Sequence, residues 1–156
     1  MQFINIRTIF IVLGAIIIAS ISFVIANNKN NKYRETIDIL ATLTEEEVTG
    51  LLVKLEYNVS EVDAPPVIYS RERIAQFLKS VSDMEKYQWG KSNDITEIVG
   101  IYLKPSGIAF ITHLRGNNPE YLYGYLGAGD QNRFTNYGSF RSKAMRRWVD
   151  LTISKR

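Results

Sequence analysis

Between Ile9 and Ala26 the chain carries no charged side chain. A helix of about 18 residues covers about 27 Å, enough for the hydrocarbon core of a bilayer. The many β-branched side chains (Ile9, Ile11, Val12, Ile16, Ile17, Ile18) are well tolerated in lipid. Two readings compete. Arg7 and the α-amine ahead of the run, and Val24-Ile25-Ala26 at its end, resemble an export signal with its cleavage site. Against that, the run exceeds the usual signal core of about 7–15 residues, and it stays apolar up to the would-be cut. An uncleaved anchor over residues 1–26 is the expectation, with the lipid bilayer as its partner from Ile9 to Ala26. Gly14, Ala15, Ala19 and Ser22 also offer a small-residue face for helix packing.

The pattern then changes abruptly. Asn27-Asn28-Lys29-Asn30-Asn31-Lys32 has no apolar residue and predicts a polar tether over 27–32. A single domain is expected over 33–156. Tyr33, Ile37 and Leu40 fall at helical spacing. Thr44-Glu45-Glu46-Glu47 has the form of a capping box or a solvated turn. Leu51, Val53, Leu55, Tyr57 and Val59 alternate with Lys54, Glu56, Asn58 and Ser60, which predicts a half-buried strand. Val48, Leu51, Leu52 and Leu55 would also suit a helix, but Gly50 weakens it. Asp63-Ala64-Pro65-Pro66 ends the strand.

Ser70 can cap a helix with Ile74, Phe77, Leu78 and Val81 along one face. After a polar loop at 90–94, apolar runs at 95–103 and 108–114 flank the turn Pro105-Ser106-Gly107. A second turn at 116–119 leads to the alternating stretch from Tyr121 to Leu126. These three runs predict an antiparallel meander. Residues 127–138 read as a loop. Ser139 then caps a last helix with Phe140, Ala144, Trp148 and Leu151 on one face. The predicted class is α+β: a transmembrane helix, then an antiparallel sheet of about four strands packed by two or three helices.

Composition narrows the chemistry. The 156 residues include no cysteine, which removes disulfides, thiolate nucleophiles, zinc fingers and iron–sulfur sites. The net charge of +3 hides an uneven split. Residues 35–100 hold about 13 acids against 6 bases, and residues 101–156 about 3 against 9. If the halves fold together, they compensate. Around the span, Lys29, Lys32 and Arg34 follow while Arg7 and the amine precede, which argues for a domain held inside. A short tail ahead of a first apolar segment argues the reverse, and an extracytoplasmic domain is the expectation.

The single histidine, His113, would have to serve any Ser-His-Asp scheme. It lies within a predicted strand, where a solvent-facing residue is expected, and neither Ser106 nor Ser139 is marked as its nucleophile. No metal-ligand spacing occurs. Gly127-Ala128-Gly129-Asp130 lacks the rest of a phosphate-loop motif and reads as a turn. No cofactor, metal, nucleic acid or small-molecule substrate is expected. Asn58-Val59-Ser60 matches a glycosylation sequon inside the predicted strand.

What remains is surface. Tyr121, Tyr123 and Tyr125 share one strand face and, with Tyr102, form an aromatic surface or the floor under a helix. Arg141, Lys143, Arg146 and Arg147 line the last helix. Near a membrane, anionic lipid or an acidic partner suits such a face better than nucleic acid. The expectation is a membrane-anchored, non-catalytic accessory domain that binds a protein partner through Tyr121, Tyr123, Tyr125, Arg141, Arg146 and Arg147. A secreted inhibitor or immunity-type binder released near Ala26 is the alternative, followed by a small carboxylate-based hydrolase.

Overall fold

One helix, α1, runs without a break from Ile6 to Thr42 and is about 55 Å long. The computed structural model describes residues 6–56, 67–68, 70–88, 98–114, 118–130 and 132–153, with the backbone alone at 6–9, 55–56, 67–68, 98 and 153. Phe10–Thr42 is long and apolar enough to cross a membrane by length and composition. Every large apolar side chain from Phe10 to Ile25 is exposed, by between 50% and 72%. The Ser20 hydroxyl donates back to the Ile16 carbonyl at 2.9 Å, so it is satisfied within the helix.

The expected tether at 27–32 is helical instead. Asparagine favours turns because its side chain competes for the backbone. Here both flanks are already helical, so the six residues extend an existing helix and bear no nucleation cost. The second half of α1 then docks. Tyr33, Thr36 and Leu40 recur at helical spacing and are buried. The helix ends in a turn where the Glu47 carboxylate accepts from the Thr44 N–H and hydroxyl, both at 2.9 Å. The Thr44 backbone bond first, then its hydroxyl, holds the Glu47 carboxyl below its usual range.

Among the described residues the sheet has seven strands: β1 (Gly50–Glu56), β2 (Val67–Ile68), β3 (Glu85–Lys86), β4 (Ile98–Lys104), β5 (Ile108–His113), β6 (Leu122–Gly129) and β7 (Phe134–Ser142). Their order is β2-β1-β4-β5-β6-β7-β3, and all neighbours pair antiparallel. The expected meander is present as β4, β5 and β6. The turn between β4 and β5 contains a cis Lys104–Pro105 peptide and places Gly107 at φ +69°, a conformation glycine adopts without strain. The expected strand at 51–59 is β1, and its positions from Tyr57 on lie outside the described residues, as does the sequon.

Four strands were expected and three more join them. Residues 127–138, expected as a loop, hold the end of β6 and the start of β7. A register shift at Leu126/Gly127 breaks the alternation there. Beyond it, Asn136, Gly138 and Ser139 look like turn residues but pair with β6 across the hairpin. β2 and β3 are two residues each and carry no periodic signal.

α2 (Arg71–Val81) follows Ser70 as expected and buries Ile74, Phe77 and Val81. α3 (Lys143–Ile153) starts three residues later than expected, and Phe140, expected on its face, lies in β7 instead. Its cap is Ser142, not Ser139. The Ser142 hydroxyl accepts from the Met145 N–H at 2.9 Å and donates to the Asp83 carboxylate. Asp83 also accepts from the Ala144 N–H at 2.9 Å, so a carboxylate from the end of α2 sits at the positive end of α3.

All three helices pack on one face of the sheet. Their buried side chains (Tyr33, Leu40, Ile74, Phe77, Met145, Trp148, Val149) form one cluster with Leu51, Val53, Val99, Ile101, Leu103, Phe110, Leu126 and Phe140. Phe77 is its centre. Its ring meets Trp148 at 4.9 Å and Phe110 at 5.5 Å, both edge to face.

Candidate partner-binding face

Strand alternation sends the remaining side chains to the opposite face, where none of the helices of the described residues packs. The register aligns them in rows. One row runs His113, Tyr123, Arg141, Glu85. The next runs Gly100, Ile111, Tyr125, Ser139. A third sets Leu52, Tyr102 and Ala109 side by side, with Ile111 and Phe134 packed against them. Small residues make room for the rings. A side chain at Gly100 would meet the Tyr102 hydroxyl at 2.7 Å, and one at Gly127 would meet the Phe134 ring at 2.8 Å.

This face is aromatic from one end to the other, and its floor is closed. Tyr123 is 4% exposed, His113 5% and Tyr102 6%. The Tyr123 ring lies 5.3 Å from Tyr87 and 6.2 Å from Tyr121. His113 meets Tyr125 edge to face at 6.0 Å. His113 is therefore buried, against the expectation of a solvent-facing strand residue, and burial lowers its pKa below the ordinary histidine value. Tyr121, Tyr125, Tyr87 and Arg141 are partly accessible, as are Ile111, Phe134 and Ser139.

Charge sits at one corner. The Arg141 guanidinium lies 5.3 Å from the Tyr87 ring and 4.9 Å from the Tyr121 ring. It pairs with Glu85 at 2.6 Å. Lys143 lies 4.9 Å from the same Tyr121 ring and pairs with Glu120 at 2.7 Å. The hydrogen bond to Glu85 raises the pKa of Arg141, and the one to Glu120 raises that of Lys143. These groups are in water, so the pairs orient side chains more than they stabilise the fold.

Of the six residues singled out from the sequence, the structure brings Tyr121, Tyr123, Tyr125 and Arg141 together. Arg141 lies in β7 rather than in the last helix. Arg146 is elsewhere: it bonds the Leu114 carbonyl and pairs with Asp150 at 2.9 Å, which fastens α3 to the end of β5. Arg147 is exposed on α3 and lowers the pKa of Glu120 only as the last of several contributors, after Lys143. Sequence reading missed Tyr87 and Glu85. Both lie in or beside a two-residue strand, and only pairing with β7 reveals their place.

The serines considered as nucleophiles are engaged in turns and strand ends. Ser106 donates to the Leu103 carbonyl at 3.4 Å, and Ser139 to the Tyr87 carbonyl. Gly127 to Asp130 closes the β6–β7 hairpin. There the Asp130 carboxylate accepts from the N–H groups of Asn132 and Arg133 at 2.8 and 3.0 Å. An open cleft of about 520 Å³ lies beside this hairpin, lined by Leu52, Tyr102, Lys104, Ser106, Asp130 and Asn132. Among the described residues no three His, Asp or Glu side chains gather as metal ligands. No protein-family model matches the chain, and no curated protein and no solved structure matches it.

Proposed function

We propose that this chain is a membrane-anchored, non-catalytic interaction domain. α1 holds it at the bilayer, and the aromatic face around Tyr121, Tyr125 and Arg141 binds a protein partner. The observation that carries this reading is the contrast within one helix. Residues 10–25 are apolar and exposed, while Tyr33, Thr36 and Leu40 are buried in the domain. An exposed apolar surface of that extent needs lipid or another apolar cover.

The partner side rests on chemistry. Tyrosine and arginine are the residues enriched at protein interfaces, since they combine a broad apolar body with a polar tip. Here their rings are pre-packed on a sheet, so little ordering would be lost on binding. The same reading puts the domain on the extracytoplasmic side. The secreted alternative requires a cut between Ala26 and Asn27, inside a continuous helix.

The test is the size of the full-length protein's complex in a mild detergent, with the double variant Tyr121→Ala/Tyr125→Ala alongside. Loss of the complex with an unchanged melting temperature supports the face as the interface. An intact complex in a variant that folds normally rejects it.

A further inference from the structure

We propose that the basic cluster where the apolar part of α1 meets the domain, Lys29, Lys32 and Lys86, binds an anionic lipid headgroup. The proposal rests on the anchor reading above.

The placement follows from helix geometry. With the span ending near Ala26, Lys29 lies about 4.5 Å beyond it along the axis and Lys32 about 9 Å. The headgroup layer on each side of a bilayer is about 5–7 Å thick, so Lys29 stands within it and Lys32 just beyond its outer edge. Lys29 lies one turn before Tyr33, on the stripe of α1 that faces the domain. Lys32 flanks that stripe.

The third lysine comes from far along the chain. Lys86, on the edge strand β3, donates to the Asn30 side chain on α1. Its ammonium lies 5.5 Å from the Tyr33 ring, and Lys32 lies 5.7 Å from the Tyr137 ring. Two cation–ring contacts therefore hold two of the three charges against the domain beside this part of α1. An ammonium has three donors, and only one of those on Lys86 is needed for Asn30. Tyrosine rings with a polar tip are at home at this depth.

Among the described residues the acids nearest these charges along the chain are Glu35 and Glu85. Glu35 follows Lys32 by one turn and lies about 13 Å beyond the span along α1, past the headgroup layer. Glu85, beside Lys86 on β3, is paired with Arg141. Three ammonium groups suit a phosphate, and the cluster's height selects the phosphate of a lipid.

The experiment uses the full chain in bilayers of mixed phosphatidylcholine and phosphatidylglycerol. Spin-labelled analogues of the two lipids report which one the protein holds at its surface. The expected result is an association constant at least about threefold higher for phosphatidylglycerol, falling towards one at high salt. The triple variant Lys29→Gln/Lys32→Gln/Lys86→Gln should lose the preference, and the triple Lys→Arg variant should keep it. Equal association of both lipids with a fully inserted wild-type chain overturns the proposal and leaves the anchor standing. A preference that survives the glutamine variant also overturns it. A chain that alkaline washing removes from the bilayer overturns the anchor reading and the lipid site with it.

Discussion

His113 shows what a single side chain reveals and hides. Strand parity puts it opposite Phe110, away from the helices, and that much is readable from the sequence. Its burial is not, because the rings that enclose it come from β6 and from packing across the sheet. Only Tyr125 is local enough to guess, and only once the register is known. The burial has a consequence for stability. In the unfolded chain His113 titrates near its ordinary value of about 6.5. In the fold, loss of hydration lowers its pKa. Above about pH 6.5 both states are neutral there and nothing is lost. As pH falls below that value the unfolded state gains the proton first, so stability declines until the folded pKa is passed. The melting temperature of the full-length protein should therefore fall as pH drops below about 6.5, and His113→Gln should flatten that slope. Identical slopes in the two proteins would show that His113 contributes nothing to it.

At the scale of elements, the readable parts are those whose periodicity is complete within themselves. α2 buries residues at helical spacing, and β4 and β5 are near-continuous apolar runs on either side of a Pro-Ser-Gly turn, so their sequences are enough. β7 reads as a loop because its residues match turn statistics, and its strand geometry is imposed by β6 on one side and β3 on the other. The helical state of residues 27–32 is likewise borrowed from its flanks. The junction between α1 and β7 depends on one glycine. A side chain at Gly138 would meet the Tyr33 ring at 2.6 Å. Gly138→Val should push Tyr33 out and loosen the second half of α1, at about 1–3 kcal/mol for such overpacking. Hydrogen exchange is the measurement: amides from Tyr33 to Leu40 should lose protection while β4 and β5 keep theirs. Unchanged protection along α1 would show that the helix does not depend on this contact.

Across the whole molecule, the acidic and basic halves of the sequence meet where β3 joins β7. Glu85 and Asp83 from the first half reach Arg141 and the start of α3 in the second. The charge split is thus a matter of chain order, and the fold brings some of its opposite charges together. The candidate face was half legible: the tyrosine alternation marks it, while Tyr87 and Glu85 reach it only through tertiary pairing. The largest feature was legible from the start, since an 18-residue apolar run needs no tertiary context to be recognised. The fold adds that the helix does not stop at the end of that run. On the anchor reading, span and domain share one helix, so the domain should hold a fixed height and tilt at the bilayer surface. That geometry depends on the apolar segment remaining attached. The decisive measurement is the intact mass of the C-terminally tagged protein in alkaline-washed membranes and in the soluble fraction. Full-length mass confined to the washed membranes is the expected result. A soluble protein beginning at Asn27 would contradict it, and would make the apolar half of α1 a discarded signal.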